Sequence, residues 1–153
     1  MPGIDECLLE AMLVPGARGA SVVDWATGLA LGSVGEAAGG DHESNAAETS
    51  ELARLSTEFA AFAATTPVPE PTEGEPPAED GATVAPLPRA AADDGPLVED
   101  LILTTRTGYH MVRFVDTAFD STVCLHLWLD RDLGNLALAR IRMRDLAERL
   151  VLG

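Results

Sequence analysis

The sequence predicts a single α+β domain in which helices cover a five-stranded antiparallel sheet. A length of 153 residues, 46% of them hydrophobic, suits one domain with one core. The first third of the chain alternates helical and strand-like stretches, and the last third holds three strand-like stretches followed by a long helical one. Together these stretches predict the order α-β-β-α-β-β-β-α and an α+β sandwich.

In the first third, the pattern predicts a helix, a β-hairpin and the turns that end them. Ile4–Leu13 has the apolar spacing of a short amphipathic helix, and Val14-Pro15-Gly16 should end it. Arg18–Trp25 and Leu29–Gly35 are predicted strands, and Ala26–Gly28 is the tight turn between them.

The second helix is predicted from about His42 to Ala64. Its larger apolar residues recur at steps of three and four, the spacing of a packing seam; they are Leu52, Leu55, Phe59 and Phe62. Many alanines surround them, so this helix can pack closely both on its own sheet and on another helix. Packing on the core alone is the other interpretation.

The last third is predicted to form a three-stranded meander and a terminal helix. The predicted strands are Asp100–Arg106, Tyr109–Val115 and Thr122–Leu129, with a turn at Thr107-Gly108 and a polar connection at Asp116–Ser121. Strict alternation places Val123, Leu125, Leu127 and Leu129 on one face of the third strand and Thr122, Cys124, His126 and Trp128 on the other. Both faces are therefore expected to be covered. From Asp132 onward a helical seam follows, made of Leu136, Ala139, Met143, Leu146 and Leu150.

Residues Thr65–Pro96 have a different composition, with eight of the ten prolines, seven acidic residues and no aromatic residue. Such a segment cannot bury enough apolar surface to offset the entropy of ordering, so it is predicted to be a long, acidic, disordered insertion. The predicted domain therefore consists of 1–64 and 97–153, interrupted by 65–96. The insertion is interpreted either as a tolerated surface loop or as an acidic tether that docks on a basic surface.

Charge and motifs exclude several classes of function. The net charge is −15, and the only basic residues apart from three histidines are ten arginines, which argues against binding to nucleic acid. Without lysine there is no Walker-type phosphate site, and no His/Cys spacing matches a metal centre. We therefore expect no catalytic, cofactor-binding or metal-binding residues, and no enzyme. Cys7 and Cys124 are expected to be reduced, buried thiols, which together with the lack of a leader or membrane-spanning run predicts a cytoplasmic protein.

Four stretches carry a resemblance to a known family; they are Val14–Ser33, Ala46–Leu55, Glu99–Val115 and Thr122–Leu150, the last including Gly134-Asn135. In this order they resemble the Roadblock/LC7 family, which includes bacterial MglB-like proteins and has a profilin-like sandwich fold. The resemblance covers nearly the whole chain except 65–96.

The resemblance implies a non-enzymatic scaffold that forms homodimers, or heterodimers with another Roadblock-like chain. In such dimers the second helix and the third strand of each subunit pair across a two-fold axis. Carried onto this sequence, the dimer interface would contain Leu52, Leu55, Phe59, Phe62, Leu101, Leu103 and Thr105. The residues agree with this, since the third strand would otherwise be an open sheet edge. The resemblance further implies a small Ras-like GTPase as partner, with an effect on its nucleotide cycle or its recruitment.

Two other functions stay open. The chain could be an adaptor in a sensor-kinase or motor complex, with no effect on GTPase turnover. It could also be a small-molecule sensor, because helix-covered antiparallel sheets also form ligand pockets. His126, Trp128 and Tyr109 are the candidate ligand-binding residues.

Overall fold

The computed structural model describes residues 3–59, 62, 98–115 and 122–152. The predicted insertion Thr65–Pro96 and the predicted connection Asp116–Ser121 lie outside the described residues. The described elements confirm the predicted order; they are α1 (Ile4–Ala11), β1 (Ala17–Asp24), β2 (Leu29–Gly35), α2 (His42–Glu58), β3 (Asp100–Thr104), β4 (Gly108–Val115), β5 (Val123–Asp130) and α3 (Leu136–Leu152). No helix in these ranges is both long and apolar enough to cross a membrane.

The five strands form one antiparallel sheet in the order β2-β1-β5-β4-β3. The N-terminal hairpin and the C-terminal meander therefore meet where β1 pairs with β5. Strands β2 and β3 are the two edges of the sheet. This is the fold class that the sequence predicted, and it confirms β3 as an edge strand within the described chain.

Helices cover both faces of the sheet. Helices α1 and α3 pack on one face, where the largest buried side chains include Leu8, Leu125, Leu127, Leu129 and Met143. Helix α2 packs on the other face, over Val23, Val112, Phe114 and Cys124. The alternation predicted for β5 is confirmed, because its leucines enter the first core and Cys124 enters the second.

Two tight turns contact each other through their backbones. Gly16 has φ +83°, and a Cβ built there would lie 2.5 Å from the backbone nitrogen of Gly134. The Asp130 N–H donates to the Gly16 carbonyl over 2.7 Å. Only glycine combines this left-handed backbone with so close an approach.

A β-bulge interrupts the pairing of the edge strand β2 with β1. Val22 pairs with Gly32 and Val23 pairs with Ala30, which leaves Leu31 as an extra residue in β2. A bulge of this kind increases the local twist of the edge strand.

The strand boundaries differ from prediction by two residues or fewer, but two helix ends were wrong. Helix α1 ends at Ala11 rather than at Leu13, because Leu13 bonds to the Glu10 carbonyl in a tighter turn. Helix α2 ends at Glu58 rather than at Ala64, because Phe59 turns to extended geometry with ψ 129°.

Candidate functional site

Helix α2 approaches the sheet through small side chains. Ala46 and Ala53 are fully buried against it, and three hydroxyl residues, Thr49, Ser50 and Ser56, share this face. Ser50 and Ser56 donate their hydroxyl groups to the carbonyls of Ala46 and Ala53, over 2.6 and 2.7 Å. Because the Ser50 and Ser56 hydroxyl groups are satisfied within the helix, both can be buried without being left as orphaned donors.

The larger apolar side chains of this region point away from the sheet. Leu52 and Leu55 are each 40% exposed, Phe59 is 52% exposed, and Phe62 is 56% exposed. The rings of Phe59 and Phe62 lie 6.4 Å apart, centroid to centroid. The seam predicted from the sequence is thus an exposed apolar row. A row of this size on a surface marks a contact with another molecule more often than a solvated face.

Strand β3 lies beside this row. The three interface residues predicted on this strand lie in different environments. Leu101 is half-buried against the core beneath α2, whereas Leu103 is 50% exposed. Thr105 was predicted to lie in the strand, and that prediction is wrong. Its hydroxyl group accepts from the Gly108 N–H over 3.0 Å and donates to the Gly108 carbonyl, which fixes the hairpin turn.

A groove of about 270 Å³ separates α2 from β3. Leu52 on the helix and Leu103 on the strand lie along it. The remaining lining residues come from the connection before α2, from α2 itself and from the two strands below; they are Ala38, Gly39, Asn45, Glu48, Thr49, His110, Val112 and His126.

Two histidines contact each other in this groove. His110 Nδ1 and His126 Nε2 are 2.9 Å apart, which is hydrogen-bond distance, and the two rings are parallel within 2°. Asn45 on α2 brings its side-chain nitrogen to 3.5 Å from His126 Nδ1. The stack continues from His110 to Trp128, which Arg18 covers with its guanidinium group 3.9 Å from the ring centroid.

Burial keeps this histidine pair neutral at physiological pH. The pKa of His126 is lowered to about 4, first by burial and then by repulsion from His110. The pKa of the half-buried His110 is also lowered, by burial. An amide nitrogen can only donate, so Asn45 donates to His126 Nδ1, and His126 Nε2–H then donates to His110 Nδ1. The pair therefore forms a directed chain of neutral hydrogen bonds.

The structure brings together only part of the set that the sequence suggested for a small-molecule site. His126 and Trp128 lie on the α2 face, but Tyr109 packs against the core on the α1 and α3 face. His110 and Asn45 complete the site instead. His110 lies on the same face of the sheet as Trp128, because the two residues are paired across β4 and β5. A sequence pattern does not reveal such a register.

Both cysteines of the chain are buried among the described residues. Burial raises the pKa of Cys7 to about 11 and that of Cys124 to about 12, so both thiols stay protonated at neutral pH. In the described ranges, no three His, Cys, Asp or Glu side chains are placed to hold a metal ion.

Comparison with known proteins shows similarity of structure. Neither protein-family models nor curated proteins match the sequence. Among solved structures, Myxococcus xanthus MglB is similar with a TM-score of 0.61 and 16% identity, over 97% of this chain and 81% of that one. A Roadblock/LC7 domain from Streptomyces avermitilis is similar with a TM-score of 0.57 and 17% identity, over 92% of this chain and 88% of that one. The chain therefore has the Roadblock/LC7 fold.

Proposed function

We propose that this chain is a member of the Roadblock/LC7 family and acts as a non-enzymatic, dimeric scaffold that binds a small Ras-like GTPase. The observation that carries the proposal is the exposed apolar row of α2 beside the edge strand β3, which pairs only with β4 among the described strands. The shared fold supports family membership, and the resemblance of the sequence motifs supports the class of partner.

The dimer is proposed to form through this row and this edge. Strand β3 has backbone donors and acceptors on its outer side that a second copy of β3 can pair with, extending five strands to ten. The leucines and phenylalanines of α2 would then be buried against the same residues of the partner. An interface of this type is isologous, so it closes at two chains.

The dimer is tested by charge substitution in the apolar row. Leu55→Asp combined with Phe59→Asp should give a monomer in light scattering, because each aspartate would be buried without a partner. Leu29→Asp combined with Leu31→Asp is the matched control, since these leucines are 64% and 47% exposed on the opposite edge. A dimer that survives the first pair of changes would place the interface elsewhere.

The GTPase is tested by co-elution. Full-length protein is mixed with the Ras-like GTPases of its own genome, each loaded with GDP or with a GTP analogue. Because this chain carries a net charge of −15, the expected partner has a basic docking surface and binds more weakly as salt increases. Binding that depends on the nucleotide supports the proposal, and turnover assays then assign hydrolysis, exchange or recruitment.

The alternative functions give different results in the same assays. An adaptor for a sensor kinase or a motor complex would bind its partner and leave GTP turnover unchanged. The groove with the histidine pair is the observation that favours a small-molecule sensor, and its volume of about 270 Å³ falls just below the usual range for ligand sites. A co-purified ligand that raises the melting temperature would support that function instead.

A further inference from the structure

We propose that association through the α2 and β3 face is controlled by pH, because protonation of the His110–His126 pair weakens the dimer in mild acid. This inference rests on the proposed dimer and concerns how the same face is regulated.

The position of the pair links it to the interface. Both histidines line the groove between Leu52 of α2 and Leu103 of β3, the two elements proposed to meet a second chain. Leu103 and His110 are direct neighbours across the β3–β4 pairing. A second copy seated on this face would cover the groove and remove His110 from the water that reaches it in the single chain.

The hydrogen bonds of the neutral pair have to rearrange when a proton is added. His126 Nδ1 accepts from Asn45, and its Nε2–H donates to His110 Nδ1 over 2.9 Å. A proton added to His110 Nδ1 would point at the His126 N–H, and one added to His126 Nδ1 would point at the Asn45 amide group. An added proton therefore forces a rearrangement: either the bond between the two rings breaks, or His126 changes tautomer and the Asn45 amide turns its oxygen toward Nδ1.

Charged groups of both signs lie near the pair. Glu48 of α2 lines the groove, and Arg18 of β1 lies beyond Trp128 and forms an ion pair with Glu36 over 3.1 Å. His42, at the start of α2, is bonded to the Gly35 carbonyl through Nε2. Burial lowers the pKa of both paired rings, and closure of the groove would increase this burial.

The direction of the effect follows from linkage. The single chain binds a proton at this pair more readily than the covered dimer, so protons favour the single chain. Dissociation should therefore increase as the pH falls through the pKa of His110 in the single chain, which burial lowers from the ordinary value of about 6.5. Carboxylates titrate near pH 4, and measurements from pH 7.5 to 5.5 leave most of them charged.

The test measures the dimer dissociation constant of the full chain by sedimentation equilibrium at pH 7.5, 6.5 and 5.5. For wild type we expect an increase on the order of tenfold over this range. His110→Gln should remove most of this increase. His42→Gln is the matched control, because it removes the third histidine of the chain and leaves the pair intact. A dissociation constant that does not change with pH, or an unchanged increase in His110→Gln, would overturn the proposal.

A second measurement tests the proposal without relying on the folding of a variant. The imidazole NMR signals of wild type are titrated at protein concentrations above and below the dissociation constant. The paired histidines should become protonated at lower pH in the dimer than in the single chain. Equal titration in both states would contradict the proposal even if His110→Gln did not fold. A chain that stays monomeric at every pH would refute the proposed dimer itself, whereas a dimer insensitive to pH would refute this inference alone.

Discussion

At the scale of single residues, the contact between Gly16 and Gly134 limits substitution most sharply. Gly16→Ala places a Cβ against the Gly134 backbone at a residue with φ +83°. Strain and overlap together should cost about 2 to 4 kcal/mol. Thermal unfolding should show a clear loss for this variant, whereas Gly39→Ala should unfold almost like wild type, since no atom of the described residues lies within 4 Å of the added Cβ. A Gly16→Ala variant that unfolds like Gly39→Ala would show that the turn tolerates a side chain.

His126 should make the stability of the domain depend on pH. Its pKa in the folded chain, about 4, lies below the unfolded value of about 6.5, so its full stabilising effect is present above pH 6.5 and is lost as the pH falls toward 4. At pH 5 the loss should be about 2 kcal/mol relative to pH 7.5. Denaturant unfolding of wild type and His126→Gln at pH 5 and pH 7.5 measures this loss of stability. The variant should lose less stability than wild type. Parallel losses would assign the effect to other groups.

Sequence reasoning found His126 but not what it contacts. The alternation of β5 was enough to predict that His126 is packed on a covered face, and the structure confirms this with 4% exposure. The contact with His110 depends on the register of β4 against β5, and that with Asn45 depends on the position of α2 over the sheet. Neither of these is encoded in a local pattern.

At the scale of elements, the start of α2 is fixed by the side chain of Asp41. Its carboxylate accepts from the N–H groups of Glu43 and Ser44 and from the Ser44 hydroxyl group. The hydrogen bond from the Ser44 hydroxyl group, followed by those from the two N–H groups, lowers the Asp41 pKa. Asp41→Ala should lower the melting temperature by a few degrees. Asp41→Asn should lower the melting temperature less, because asparagine also caps helices. The same loss in both variants would argue against a capping role.

The outward row of α2 shows why helical spacing alone left two interpretations open. Leu52, Leu55 and Phe59 have the spacing of a core-facing seam, yet the alanines and hydroxyl residues take the position against the sheet. Close packing of a helix on a sheet favours small side chains, so residue size rather than hydrophobicity determined which face was buried. Thr105 was misplaced for a similar reason, since its β-strand propensity was outweighed by its bonds within the hairpin turn.

At the scale of the whole molecule, charge should oppose dimer formation. Two chains of net charge −15 repel each other, and salt screens this repulsion over distances beyond about 10 Å at 0.1 M. The dissociation constant should therefore fall several-fold between 20 and 300 mM NaCl at constant pH. An increase with salt would indicate that attractive ion pairs dominate the interface.

Removal of residues 65–96 should weaken that salt dependence. The segment contains seven acidic residues and one arginine, so its removal lowers the negative charge of each chain. The deletion variant should keep the melting temperature of wild type, because a segment of this composition buries little apolar surface. Loss of cooperative unfolding would mean instead that the segment packs on the domain.

The fold as a whole was more predictable than its surface. Hydrophobic periodicity located all eight described elements, and their order led to the α+β sandwich that the structure shows. The groove between α2 and β3 was not predicted, because it depends on how two distant segments are placed on one sheet.

The bulge in β2 determines how far this sheet can grow. An edge strand is a template for further strands, and a chain with two regular edges could add neighbours without limit, as amyloid fibrils do. With Leu31 as an extra residue, β2 departs from the regular spacing that an incoming strand would have to match. We therefore expect β2 to pair poorly with an incoming strand, so that a chain pairing through β3 would stop at two copies.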